Sequence, residues 1–186
     1  MPKQRITREM VVDAAFAITR QEGIAQVLVK RIAQELGCSV QPIYSYCNSM
    51  DELRAAVAEK AAAHMQAYMA AHIDPADMFR STGYAYVRYA RQEPHLFQLF
   101  LQRRRPYMRT LEDLYGRDAD PQVPQSIARH LSIPVERAKE LHLNMLVFTT
   151  GIGVIMATGS RELPEEEMLA RLESACQAFL GRAMEE

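Results

Sequence analysis

Gln41, Tyr44 and Tyr46 stand within one six-residue stretch, and Lys30 and Arg31 stand shortly before it. A glutamine amide carries a donor and an acceptor side by side, the pair needed for a bidentate contact with the major-groove edge of adenine. Tyrosine hydroxyls and the two cations suit phosphate oxygens. Val40 and Pro42 offer only apolar contact, to a thymine methyl or a sugar. This is the chemistry of recognition. No nucleophile–base pair or carboxylate pair occurs at plausible spacing, so no catalytic residue is assigned and an all-α enzyme is the disfavoured class. His64, His72, His95, His130 and His142 lack ligand spacing with one another or with Cys38, Cys47 and Cys176. No metal and no cofactor is therefore expected.

The residues around this stretch explain how it is held. Ile32, Ala33 and Leu36 form a helical stripe, Gly37 supplies a turn, Ser39 reads as a cap, and Ile43 and Tyr46 begin a second stripe. Helix, glycine turn, helix is the unit whose second helix enters the DNA major groove. Ala33 lets the helices cross closely, and Gly37 permits a positive φ.

Taken in order, the chain reads as about nine helices, an all-α fold. Met1–Ile6 is a polar, basic arm. Thr7 caps a first helix with Val11, Ala14, Ala15 and Ile18 on one face, and Gly23 stops it. The second helix spans about 27–36 and the third about 40–46, with Pro42 in its first turn. Ser49 and Glu52 have capping-box spacing and open a long Ala-rich helix to about Ala71, roughly 30 Å. Asp74-Pro75 starts a fifth helix to Gln92, with Phe79, Gly83, Tyr86, Val87 and Ala90 on one side. Pro94 breaks it, and 95–103 continues as a short helix. The segment 116–124 is the strongest loop signal. A short helix over 125–131, a long one from Pro134 to Thr158, and a last one from Pro164 to about Phe179, ended by Gly181, complete the chain. Residues 1–50 are expected to form the head, and residues 51–186 a helical ligand-binding and dimerisation domain.

The chain of 186 residues has ordinary globular composition and a net charge of −1, which does not advertise nucleic-acid binding. The charge is uneven, with a small basic excess before residue 50 and an acidic balance after it. Three cysteines without pairing logic favour a reducing, cytoplasmic setting. No signal pattern is present, and the longest apolar run, 143–158, is shorter than a membrane span, so no membrane association is expected.

The head resembles that of the TetR family of bacterial transcriptional regulators through Asp13-Ala14-Ala15, Gly23, Ile32-Ala33, Leu36-Gly37, Ser39, Ile43-Tyr44 and Leu53. In the second domain, Ala90-Arg91-Gln92-Glu93-Pro94-His95-Leu96-Phe97 looks like the family's break between fifth and sixth helices. Leu146 and Thr150 stand where one subgroup has Trp and His. The resemblance implies a homodimer through the last two helices, a DNA head on each subunit, and a small-molecule pocket within helices four to eight. It also implies that ligand binding tilts the fourth helix and spreads the heads. Three positions depart from the pattern. Val27 replaces a frequent capping Thr or Ser, Met50 a frequent Lys, and Cys47 a frequent aromatic. The first two remove phosphate contacts, which predicts weaker binding.

The expected partner is double-stranded DNA, a near-palindromic operator with half-sites about 34–36 Å apart or somewhat more. The chain would act as a ligand-responsive regulator, a repressor of adjacent genes released by an apolar small molecule. The expected DNA-facing set is Thr7, Lys30, Arg31, Ser39, Val40, Gln41, Pro42, Tyr44 and Tyr46, with Arg5 and Arg8 as weaker members. Tyr46 is open between phosphate and the head's core, and Gln41 between base contact and plain exposure. Tyr68, Tyr84, Tyr86, Phe97, Phe100, Met108, His142, Met145 and Phe148 are candidates to line a pocket, although such residues at helical spacing more often fill a core. Arg103-Arg104-Arg105 reads first as a solvated charge run, and Cys38 and Cys47 as small core residues. The rival reading is a helical protein-interaction module whose head has lost DNA binding.

Overall fold

The computed structural model describes residues 6–46, 49–115, 119, 121–160 and 162–185. Nine α-helices lie among them: α1 Arg8–Glu22, α2 Val29–Glu35, α3 Gln41–Tyr46, α4 Met50–His72, α5 Met78–Gln92, α6 Pro94–Gln102, α7 Val123–Leu131, α8 Val135–Thr158 and α9 Glu165–Glu185. Short 3-10 turns cover Ile24–Gln26, Pro75–Asp77 and Leu111–Leu114. Among the described residues there is no strand, only an isolated bridge between Tyr115 and Ala119. Cys47, Asn48, the span 116–118 and Asp120 lie outside the described residues, as do residues 1–5 of the basic arm, Arg5 included.

The chain divides into two compact units. One comprises residues 1–68 with 93–103, and the other residues 69–92 with 104–186. The head unit thus extends beyond residue 50 and takes in α6. Its core holds the whole first-helix stripe, Val11, Ala14, Ala15 and Ile18, together with Val27, Ile32, Ala33, Ile43, Leu53 and Val57. Burying these side chains contributes on the order of 1.5–3 kcal/mol for each large one. Thr7 caps α1 by accepting from the Met10 N–H at 3.2 Å, and Ser49 caps α4 by accepting from the Glu52 N–H at 3.1 Å.

In the second unit α5, α7, α8 and α9 pack together. Gly83 sets the approach of α5 to α9, since a Cβ there would stand 3.2 Å from Leu172 Cδ2. Gly159 ends α8 for a harder reason: a Cβ would meet the Ile155 carbonyl at 2.6 Å. Two expected boundaries shift. α7 begins at Val123 and includes Pro124, whose missing N–H is harmless in a first turn. α9 runs through Gly181 to Glu185. One glycine costs a helix about 1 kcal/mol, and the Arg, Ala, Met and Glu that follow all tolerate helix.

The apolar run expected to be too short to span a membrane belongs to a longer helix. α8, with 24 residues, is long and apolar enough by length and composition to cross one. Half of its most apolar window is buried inside the second unit, with Leu141, Met145, Ile152 and Met156 facing the core. That burial is the ordinary signature of a core helix.

Candidate nucleic-acid interface and the cavities of the second unit

The turn between α2 and α3 is closed by backbone chemistry. The Cys38 N–H donates to the Ala33 carbonyl at 3.0 Å and the Gly37 N–H to the Gln34 carbonyl at 3.2 Å. This pair of bonds ends a helix on a left-handed residue, and Gly37 has φ +62°. Nothing lies within 4 Å of a Cβ built on Gly37, so its φ alone demands glycine there. The carbonyl of Val40 accepts the first bonds of α3, from Ile43 at 3.2 Å and Tyr44 at 3.4 Å. Val40 therefore holds the cap position, one residue later than the cap expected at Ser39.

α3 buries Ile43 and turns its other face outward. Gln41 is exposed, Tyr44 is 66% exposed and Val40 39% exposed. Pro42 is half-buried. Tyr46 is half-buried and packs against the head core. The outward face offers one amide, one phenol, the Ser45 hydroxyl and one small apolar side chain.

The flanking cations divide. Lys30 is exposed. Arg31 is tied within the head, its Nη2 at 2.8 Å from Glu22 and its Nη1 at 2.9 Å from Glu35. Hydrogen bonds to Glu22 and then Glu35 raise its pKa further, so it stays charged but already partnered. Arg8 stands 3.6 Å from Glu52. The first turn of α4 carries Asp51 and Glu52, which suit the helix dipole but repel a phosphate approaching beside Met50. Val27, expected at the cap of α2, is fully buried in the head core. The cap is Leu28, which has no side-chain oxygen to offer and is 52% exposed. Sequence reasoning missed Leu28 because the short 3-10 turn at Ile24–Gln26 delays the start of α2 by two residues.

The second unit holds a cavity of about 70 Å³ bounded by α5, α7 and α8, with Phe79, Tyr86, Val123, His142, Met145 and Leu146 among its walls. His142 and Thr149 are its buried polar residues. The Tyr115 hydroxyl lies 2.8 Å from His142 Nδ1. Burial pushes the imidazole down to about 4 and, with Glu112 adding to the effect, the phenol up to about 12, so both are neutral near pH 7. A phenol is the better donor and an imidazole nitrogen the better acceptor. The hydroxyl therefore donates to Nδ1 and the ring proton resides on Nε2. A larger cavity of about 260 Å³ lies among the Pro75–Asp77 turn, the start of α5, α7 and α9.

No family model matches the sequence, and no curated protein matches it. Solved structures do. A TetR-like transcriptional regulator from Rhodococcus sp. RHA1 superposes with a TM-score of 0.66 at 18% identity, over 96% of this chain and 98% of that one. A second transcriptional regulator from Rhodococcus sp. RHA1 gives a TM-score of 0.60 at 15% identity, over 95% of this chain and 97% of that one.

The fold is that of TetR-like transcriptional regulators.

Within this TetR-like fold, Leu146 and Thr150 both line the 70 Å³ cavity. Of the nine expected pocket residues, Tyr86, His142 and Met145 line it. Tyr68, Phe97 and Phe100 belong to the head unit, where Phe97 is fully buried and Phe100 lies beneath the Arg103 guanidinium at 4.1 Å. Tyr84 donates to Glu173 at 3.0 Å. Phe148 stacks edge-on against Phe179 at 6.4 Å. Met108 is 39% exposed and lines neither cavity. Aromatic and Met content marked apolar residues correctly but carried no information on which void they face.

Proposed function

We propose that the chain is a homodimeric DNA-binding transcriptional regulator that represses adjacent genes and is released by an apolar small molecule. The observation that carries this reading is the outward face of α3, where Gln41 and Tyr44 project beyond the left-handed Gly37 turn. A short helix held this way presents its N-terminal residues to base edges in the major groove, Gln41 to an adenine and Val40 to a thymine methyl. Lys30 and Tyr44 would meet phosphates, with Thr7 at the start of α1 as a further anchor. The cytoplasm is the compartment such a role requires.

The dimer reading rests on two helix faces of the second unit. On α8, Val147 is 54%, Val154 39% and Ile155 50% exposed, with Gly151 open between them. On α9 the outward residues Ala170, Ser174, Ala178 and Gly181 are small and recur at helical spacing. An apolar ridge beside a small-residue stripe suits close, self-complementary helix packing across a two-fold axis. Small-molecule release is supported by the apolar cavities and the neutral His142–Tyr115 pair.

Footprinting of the DNA flanking its own gene tests the reading. Protection of two related half-sites supports it. A folded dimer that protects nothing there at low salt would favour the rival reading, an interaction module whose exposed Leu28 and committed Arg31 reflect a lost DNA surface.

A further inference from the structure

We infer that the 260 Å³ cavity is a binding site for a small, uncharged, mainly hydrocarbon ligand, distinct from the cavity that holds His142, which adjoins it across Phe79 and Val123. Phe79, Ile127, Leu131 and Leu180 provide apolar wall, and Ser126 and His130 add polar groups. On α9, Cys176 and Leu180 continue the face that carries buried Met168 and Leu172, so the cavity opens on the core side of α9 and not on its small-residue stripe.

Size and charge define the ligand. An apolar cavity of about 150 Å³ takes benzene, so 260 Å³ accommodates two fused rings or a chain of about ten carbons. The cation in the wall is already neutralised: Arg80 Nε stands 3.3 Å from Glu173 and 3.5 Å from Asp77. Glu173 in turn accepts from Tyr84 at 3.0 Å and Gln177 at 3.1 Å. With two carboxylates set against this one guanidinium, the charge beside the cavity is net negative and repels an anionic ligand. A neutral ligand leaves that cluster intact and satisfies its one polar group at Ser126 or His130. By contrast, the 70 Å³ cavity is below what a ring system needs without movement of its walls.

Isothermal titration of the full chain with 2-naphthol, and with 2-naphthoate as its anionic counterpart, tests the site. Saturable binding of 2-naphthol is expected, with 2-naphthoate weaker by about tenfold or more. Ser126→Phe fills the cavity and should weaken 2-naphthol by about tenfold or more, while Thr150→Phe, in the other cavity, should change it by less than about twofold. Where Ser126→Phe fails to give the wild-type circular dichroism and melt, Leu131→Phe carries the same expectation. Absence of saturable binding to the folded wild type overturns the site. Loss of binding in Thr150→Phe with retention in Ser126→Phe also overturns it, by placing the ligand beside His142. Tighter binding of 2-naphthoate overturns the argument from Arg80. None of these outcomes depends on whether the head binds DNA.

Discussion

Arg20 of α1 holds the carboxylate of Glu93 with both oxygens, its Nε at 2.8 and 3.0 Å. Glu93 caps α6 and has a side chain only 10% exposed, whereas that of Arg20 is half in water. The pair fastens α6 to the first helix within the head unit, directly after the last residue of α5. Gly23, at the end of α1, lies beside it, with a built Cβ 3.4 Å from His95 Nδ1. Arg20→Met strands a buried carboxylate and should lower stability by about 1–2 kcal/mol. That is less than the loss from a fully buried pair, because half of Arg20 is solvated. Glu93→Gln keeps a hydrogen bond to the guanidinium and should cost less. Urea unfolding of both variants reads the difference: no loss in Glu93→Gln would show that the ion pair contributes no more than a neutral contact, and a loss equal to that of Arg20→Met would show that the neutral contact contributes nothing.

Gly37→Ala places a side chain at φ +62° with no clash to relieve. The expected loss is about 1–2 kcal/mol of stability, from backbone strain alone. Thermal melts check it. An unchanged melting temperature would mean that the α2–α3 turn adopts another conformation.

This turn, with the caps Thr7 and Ser49, was legible in the sequence because all three are local: a residue type and a spacing of a few positions specify the geometry. The features that escaped are non-local. Glu22 lies nine residues before Arg31 on another helix, and Tyr115 lies 27 residues before His142 with α7 between them. Neither pairing leaves a periodic trace. Gly181 reads as a stop because glycine ends many helices, yet one unfavourable residue does not outweigh the helix formers after it. The cavities were illegible for the same reason as the pairings: an apolar side chain facing a void and one facing a neighbour look alike in sequence.

His142 makes the second unit acid-sensitive. Its ordinary pKa of 6.5 applies when unfolded, and burial lowers it to about 4 when folded. The unfolded chain therefore binds the proton more readily. The contribution is fully retained above pH 6.5 and is lost as pH falls from 6.5 towards 4. The total is up to about 3 kcal/mol. His142→Asn removes the titrating ring, so the gap in stability between wild type and variant should narrow across that window. A gap independent of pH would show that the imidazole is not held neutral.

The α8 ridge predicts its own dissociation. Ile155→Glu places a charge on a half-exposed apolar position and should convert a dimer to monomer in sedimentation with the fold intact. A wild type that sediments as a monomer at micromolar concentration would remove the dimer from the account.

For the head, Lys30→Ala should weaken all duplexes alike and make the salt slope shallower by about one unit. Gln41→Ala should instead cost about 1–3 kcal/mol at a single A·T position and relax preference there. Similar behaviour of the two variants would mean that Gln41 touches the backbone and not a base.

The most direct measurement is fluorescence anisotropy of wild type and Gln41→Ala against duplexes selected from a random library, at several salt concentrations. The account predicts a selected, near-palindromic sequence, a steep negative salt dependence from the phosphate contacts, and loss of discrimination at one A·T pair of each half-site in Gln41→Ala. A folded wild type that selects no sequence, with binding flat in salt, would contradict it.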